Sequence, residues 1–351
     1  MATSGRSFTY PEKPRPGDRV AVLSPSAGLP AVFPAVYEQG LGRIREVFGL
    51  IPVEYPTTRK MDAPLEERAR DVHAAFADPA VKAVFCSIGG ADQIKLLKHL
   101  DPELMRANPK PFFGYSDNTN LHMFLWNLGV VSYHGGAVMV QFSQGPAMHP
   151  YTVASLRRAL FERGEAEISP APEYTDEELD WSESAALERR PPMFPNDGWT
   201  WLNGGRTVEG TAWGGSLEIV DFHLRANRYL LSPDAYEGSV LYLETSEELP
   251  SATYVYRVLM CMAERGLLQR FPAVLLARPK AWDFEHPNTV EERARFRREQ
   301  EEAVRQVLGE YHPRALAVLN LDFGHTEPQC VIPNGGRVRI DGIEERIRVT
   351  Y

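Results

Sequence analysis

The alternation of β-branched apolar runs with amphipathic helical stretches through the first 160 residues constrains this chain more than any other feature. RVAVLSPS (19–26) is a continuous apolar run ending in Ser-Pro, the pattern of a buried parallel strand. Residues 35–48 carry apolar side chains at helical spacing, and LIPVEYP (50–56) reads as a second strand. APLEERARDVHAAFAD (63–78) is an amphipathic helix stopped by Pro79. AVKAVFCSIGG (80–90) reads as a third strand, ADQIKLLKHL (91–100) as the helix after it, and PKPFFGYSD (109–117) as a fourth strand. NTNLHMFLWNLG (118–129) is a helix with Gly129 as its stop, and VVSYHGG (130–136) returns to strand. Such alternation predicts an α/β unit, a mostly parallel sheet covered by helices.

The pattern changes after residue 162. Residues 163–206 are acidic, proline-dotted and hold Trp181, Trp199 and Trp201 without a strong period. A connection this long is usually functional or disordered, and its tryptophans argue against disorder. From 207 onward short strands dominate, with helices at 251–266 and 289–309 and a final hairpin turning at Asp341-Gly342. The expected organisation is therefore 1–162 as an α/β unit, 163–206 as a connecting loop, and 207–351 as a β-rich unit.

A length of 351 residues fits about two domains. With 43% apolar residues the chain can build a sizeable core without disulfides or metals. The net charge of −9 disfavours a polymeric nucleic acid or an anionic membrane as partner. No stretch approaches the roughly 18 apolar residues of a membrane-spanning helix. The first twenty residues lack the apolar core of a secretory signal. Cys86, Cys261 and Cys330 form no C-x-x-C pair, which suits reduced thiols in a cytoplasmic protein. These priors leave a cytoplasmic enzyme or binding protein.

The sharpest local signal is PFFGYSDNTNLHMFLW. Ser116 follows a buried strand at once and precedes a helix, the arrangement of a nucleophile elbow. There the hydroxyl projects at the carboxyl end of the sheet, and the helix N-terminus favours a developing oxyanion. Asn118 stands where G-x-S-x-G has its second glycine, and Ser-Asp-Asn-Thr equally suits a plain helix cap. In SIGGADQIKLL, Gly89 and Gly90 let the backbone approach a ligand, with N–H groups able to bind an oxyanion; a plain strand-to-helix turn fits equally. A serine nucleophile needs a base and an orienting acid. Of nine histidines, His325 in LDFGHTEP sits in a polar loop after an apolar strand, His134 ends a strand where it could line the site, and His122 points away from the elbow. Glu244 in LYLETSEE closes another apolar strand, where it could orient an imidazole or could begin a helix. There is no H-E-x-x-H and no paired-cysteine motif, so no metal and no cofactor are expected.

Six segments in this order resemble the LD-carboxypeptidase family of serine peptidases, in the branch that includes the microcin C self-immunity proteins: SPSAG (24–28), SIGGADQIKLL (87–97), FFGYSDNTNLH (112–122), WGGSLEIV (213–220), LYLETSEE (241–248) and NLDFGHTEP (320–328). The resemblance implies a Rossmann-like N-terminal domain, a β-rich, barrel-like C-terminal domain, and a homodimer. It implies a Ser116–His325–Glu244 triad, with the N–H groups of Gly90 and Asp117 as oxyanion hole. Each such donor is worth roughly 3–4 kcal/mol. Trp181 in ELDWSES resembles the aromatic residue of the immunity branch that stacks on a nucleobase, a contact worth roughly 1–3 kcal/mol; burial of all three tryptophans to anchor a lid is the other reading. Gly89, Tyr115, His134 and Ser216 are expected to join Trp181 around the substrate. Ser216 replaces an asparagine common in relatives. The implied substrate is a small aminoacyl or peptidyl nucleotide-like conjugate. The alternatives are a murein tetrapeptide, cut at its L–D bond, and a non-catalytic binder of a nucleotide or peptide.

Overall fold

The computed structural model describes residues 6–351. The alternation of the first half is realised as β1 (Arg19–Leu23), α1 (Pro34–Phe48), β2 (Ile51–Glu54), α2 (Leu65–Ala77), β3 (Val81–Cys86), α3 (Pro102–Ala107), β4 (Phe112–Gly114), α4 (Thr119–Asn127), β5 (Ser132–His134) and α5 (Pro150–Phe161). Local chemistry sets the ends. Asp101 caps α3 by accepting from the N–H groups of Glu103 and Leu104, and α1 stops at Gly49 with φ 68°. The expected helix over 91–100 is instead two short 3-10 turns, Gln93–Lys95 and Leu97–His99. The Asp117 carboxylate explains the difference. It takes the N–H groups of Asp92 and Gln93, each at 3.0 Å, and so draws the first turn toward the elbow.

Strands β2, β1, β3, β4 and β5 lie side by side and parallel. The chain places β2 on one side of β1 and β3 on the other, so the order reverses between β1 and β3. Ligands of open α/β sheets bind outside the strand carboxyl ends at such a point.

The second half contributes β6 (Glu165–Ile168), β7 (Glu173–Tyr174), α6 (Ala185–Glu188), β8 (Phe194–Pro195), β9 (Thr200–Leu202), β10 (Thr207–Ser216), α7 (Leu217–Ala226), β11 (Val240–Glu244), α8 (Ala252–Glu264), β12 (Ala273–Ala277), α9 (Val290–Tyr311), β13 (Leu316–Leu321), β14 (Ile332–Asn334), β15 (Arg337–Asp341) and β16 (Arg346–Thr350). An eight-stranded sheet runs β6-β16-β15-β10-β11-β12-β13-β9. It is open, with β6 and β9 as its edges, rather than a closed barrel. Residues 163–206 therefore supply both edges of this sheet. Conversely, β14 pairs antiparallel with β5 and completes the first sheet. Strands β10 to β13 are parallel, so their carboxyl ends, like those of β1, β3 and β4, point to one side.

One apolar core joins the two sheets. Phe85, Phe113 and Tyr133 of the first pack in the same cluster as Tyr242, Leu275 and Val318 of the second, all without solvent exposure. Burial of each such side chain is worth about 1.5–3 kcal/mol. Trp126 of α4 stacks on Tyr236 at 5.1 Å, and its indole N–H donates to the Ala212 carbonyl of β10 at 3.1 Å. These contacts fix the relative position of the two sheets, and hence of the groups at their strand ends.

Candidate active site

Three strand ends of the first sheet converge. β4 runs into Tyr115 in extended backbone, then into Ser116 at φ 61°. That left-handed conformation costs a non-glycine residue about 1–3 kcal/mol and persists only when neighbours impose it. The neighbours are visible. The Asn118 carboxamide donates to the carbonyls of Tyr115 and Ile88 at 3.0 and 3.1 Å, and accepts from Gln93 at 2.8 Å. Asn118 thus brackets the elbow from the position where G-x-S-x-G has glycine. Asp117, fully buried, accepts from Ser26 after β1, from the two N–H groups after β3 and from Asn120 at 2.9 Å. Burial pushes its pKa up, and these donors oppose the rise.

The glycines after β3 permit close approach. A Cβ on Gly89 would stand 2.9 Å from Ser116 Cβ and 3.0 Å from its Oγ. Gly90 has φ 157°, and a Cβ there would fall 2.2 Å from Ser26 Oγ. The N–H groups of Gly90 and Asp117 enter no backbone hydrogen bond among the described residues.

The second sheet brings Glu244, the last residue of β11, and His325 in the loop after β13. His325 Nδ1 donates to Glu244 Oε2 at 2.5 Å, and Glu244 has no side-chain exposure. The approach requires Gly324, with φ 83°, where a Cβ would stand 2.6 Å from Glu244 Cβ. The imidazole meets the Tyr115 ring edge-on, with centroids 4.9 Å apart. Its other nitrogen, Nε2, lies 3.0 Å from Glu247 Oε2. Burial would lower the His325 pKa, but the two carboxylates prevail and hold it well above the ordinary value. The Glu247 side chain is 58% exposed; its partial desolvation opposes ionisation, and the charge on His325 outweighs this and keeps its pKa down at about 2.

Ser116, Gly89, Gly90, Tyr115, His325 and Trp181 all line one cavity of about 430 Å³. Trp181 stands edge-on to Phe33 at 5.6 Å within it. The other two tryptophans act differently: Trp199 donates to the buried Asp322 at 2.9 Å, and Trp201 lies in edge strand β9. The structure corrects two expected substrate contacts. His134 is fully buried behind Glu244, with its Nε2 3.8 Å from Glu244 Oε1, because β14 covers the end of β5. Ser216 is also buried, and its hydroxyl donates to Glu218 at 3.0 Å. Neither lines the cavity. Sequence reasoning missed Glu247 and Glu327, which do line it. Both lie inside motifs read for their neighbours, LETSEE and GHTEP.

Sequence profiles of the LD-carboxypeptidase N-terminal and C-terminal domains match residues 20–135 and 209–340. The chain belongs to the LD-carboxypeptidase family. Within it, the chain is similar to the microcin C7 self-immunity protein MccF of Escherichia coli, 24% identical over 82% of this chain and 78% of that protein. A structure of MccF in complex with aspartyl sulfamoyl adenosine superposes with a TM-score of 0.82 at 23% identity, covering 97% of this chain and 99% of that one. An MccF-like protein of Streptococcus pneumoniae, in complex with AMP, gives a TM-score of 0.83 at 25% identity, over 95% of this chain and 99% of that one. The murein tetrapeptide carboxypeptidase of Pseudomonas aeruginosa is 34% identical over 33% of this chain and 38% of its own length. As an LD-carboxypeptidase family member, the chain is a hydrolase of the peptidase class. Among the described residues no helix is long and apolar enough to cross a membrane.

Proposed function

We propose that this LD-carboxypeptidase family member is a serine amidohydrolase that cleaves the amide between an aminoacyl or peptidyl group and a nucleotide-like moiety. The observation that carries the proposal is the convergence, in one cavity, of a strained serine, the Gly89-Gly90 backbone, a carboxylate-bound imidazole and a half-buried tryptophan. Ser116 Oγ attacks the carbonyl carbon, and His325 Nε2 takes its proton. Glu244 on Nδ1 fixes the tautomer that leaves Nε2 to act, and stabilises the imidazolium. Gly90 and Asp117 N–H groups hold the oxyanion, at about 3–4 kcal/mol per donor. His325 then protonates the leaving amine, and water releases the acyl group from Ser116.

Trp181 stacks on the nucleobase in this reading. The sulfamoyl-adenosine and AMP complexes of MccF and its streptococcal relative support such a ligand. The chain acts in the cytoplasm as a homodimer in this reading, and a reducing compartment suits three unpaired cysteines. A second reading, a murein tetrapeptide LD-carboxypeptidase, is favoured by the similarity to the Pseudomonas aeruginosa enzyme. Parallel incubation with alanyl sulfamoyl adenosine and with a murein tetrapeptide, read by mass spectrometry, tests the choice. Release of alanine from the conjugate is the expected result. Cleavage of the tetrapeptide alone overturns the substrate; cleavage of neither, with tight binding of the conjugate, leaves a non-catalytic binder.

A further inference from the structure

Nucleophile, base and acid leave one buried contact unused. Ser26, in the SPSAG segment after β1, is 6% exposed, and its hydroxyl donates to Asp117 Oδ2. The same oxygen accepts the N–H groups of Asp92 and Gln93, each at 3.0 Å, so the loops after β1, β3 and β4 meet at one atom.

Ser26 also touches the loop after β3 directly. A Cβ on Gly90 would fall 2.2 Å from Ser26 Oγ and 3.2 Å from Ser26 Cβ, so Gly90 lies flat against this side chain. The next residue, Ala27, donates its N–H to the Gly89 carbonyl at 3.1 Å. The peptide from Gly89 to Gly90 is trans, and in a planar trans unit the N–H points opposite to the C=O. The Gly90 N–H is therefore turned away from Ala27, in a peptide that begins at Gly89, which packs on Ser116.

The SPSAG segment is itself held from behind. Arg68 of α2, 7% exposed, donates to the Ser26 carbonyl at 2.9 Å and to the Pro25 carbonyl at 3.2 Å. Its two terminal nitrogens pair with the two oxygens of Asp92 at 2.9 and 3.1 Å. Such a guanidinium fork fixes geometry as well as charge. Ser26 thus has a rigid backing and faces Gly90 and Asp117, the two residues whose N–H groups are assigned to the oxyanion.

We propose that Ser26 is a positioning residue of the oxyanion hole: its hydroxyl stands between the Asp117 carboxylate and Gly90 and sets the distance between their two N–H groups. The inference rests on the reading of Ser116 as the nucleophile. Oxyanion donors are effective when they are already fixed where the charge develops. The tetrahedral oxyanion depends on them more than the bound carbonyl does, so loosening them costs kcat rather than KM. In Ser26→Ala, Asp117 loses one of its donors and Gly90 loses an atom it rests on. The effect is the same for aminoacyl and peptidyl substrates, because the hole meets the attacked carbonyl and not the acyl nitrogen.

The test compares Ser26→Ala with wild type and with Ser155→Ala. Ser155 is also 6% exposed, its hydroxyl accepts from the Val331 N–H at 2.9 Å, and it does not line the cavity. Initial rates are measured on alanyl sulfamoyl adenosine or on the murein tetrapeptide, whichever wild type cleaves. The rate of Ser116 modification by a fluorophosphonate, whose phosphonyl oxygen enters the same hole, is followed by mass spectrometry. Ser26→Ala is expected to lower kcat by about 10- to 100-fold, up to the loss of one oxyanion donor, and to slow the fluorophosphonate by a similar factor. KM should stay within about twofold, and Ser155→Ala should leave both rates within about twofold. Rates of Ser26→Ala within about threefold of wild type overturn the inference, as does a loss carried by KM, and the serine reading stands in either case. Absence of both turnover and Ser116 modification in wild type overturns that reading and the inference with it.

Discussion

His134 Nε2 lies 3.8 Å from Glu244 Oε1, and neither side chain is exposed to solvent. Both ring nitrogens of His134 and this oxygen of Glu244 lack partners among the described residues. Burial, followed by the charges of His122 and His325, keeps the His134 pKa well below the ordinary value, so its imidazole is neutral. It presents a dipole to the rear of Glu244 while His325 occupies the front. His134→Phe keeps a planar ring, though a larger one, and removes that dipole. The expected result is a fall in kcat of about 2- to 10-fold, less than for a formed hydrogen bond because the two groups stand 3.8 Å apart, with KM unchanged. A change confined to KM would mean that His134 meets the substrate after all.

Gly89 sets the spacing between the loop after β3 and the elbow. Gly89→Ala places a methyl group 2.9 Å from Ser116 Cβ and 3.0 Å from its Oγ, so one of the two must shift. Displacement of a reacting group by about 1 Å costs about 100-fold, and kcat/KM is expected to fall by that much. Gly42→Ala is the control. It lies on α1 with only the Glu46 side chain near, at 3.9 Å, and should raise stability by up to about 1 kcal/mol with activity intact.

The tryptophans of 163–206 are predicted to separate by measurement. Trp181→Ala should weaken a nucleotide conjugate by about 5- to 150-fold in KM, the range of base–aromatic stacking, with little change in Tm. Trp199→Phe deletes the hydrogen bond to Asp322, a carboxylate that also pairs with buried Arg278 at 2.9 Å. It should lower Tm by several degrees and leave KM alone. Thermal melts and initial rates on the two variants decide this.

The pH profile follows from the two carboxylates on His325. Glu244, Glu247 and the neutral His134 and Tyr115 are the titratable groups around it. A base works only when unprotonated, so kcat/KM rises as pH passes upward through the pKa of His325. Glu247→Gln removes one source of the upward shift, and the rising limb should move to lower pH. A limb that stays in place would show that Glu247 does not act on His325 in solution.

Much of this site was legible in the chain. The elbow at Ser116, the paired glycines, Glu244 and His325 all sit where an apolar run meets a polar loop, and local pattern marks such places. What pattern cannot mark is which way a strand end faces. His134 and Ser216 end strands just as Glu244 does, yet β14 seals His134 from the cavity and Glu218 holds Ser216 away from it. The helix expected over 91–100 was lost to a tertiary competitor, the Asp117 carboxylate. The 163–206 segment carries no period because its strands complete a sheet built mainly by residues far along the chain. The acids of LETSEE look like the first turn of a helix, whereas α8 begins only at Ala252, and nothing local tells that Glu247 reaches Nε2 of His325.

The central claim is that Ser116 is the nucleophile served by His325. Reaction with a fluorophosphonate, followed by peptide mass spectrometry, tests it most directly. The account predicts one adduct, on Ser116, absent from Ser116→Ala and strongly slowed in His325→Ala, with hydrolysis in Ser116→Ala reduced by about ten-thousand-fold. An adduct on another residue, or full hydrolysis by Ser116→Ala, would contradict it.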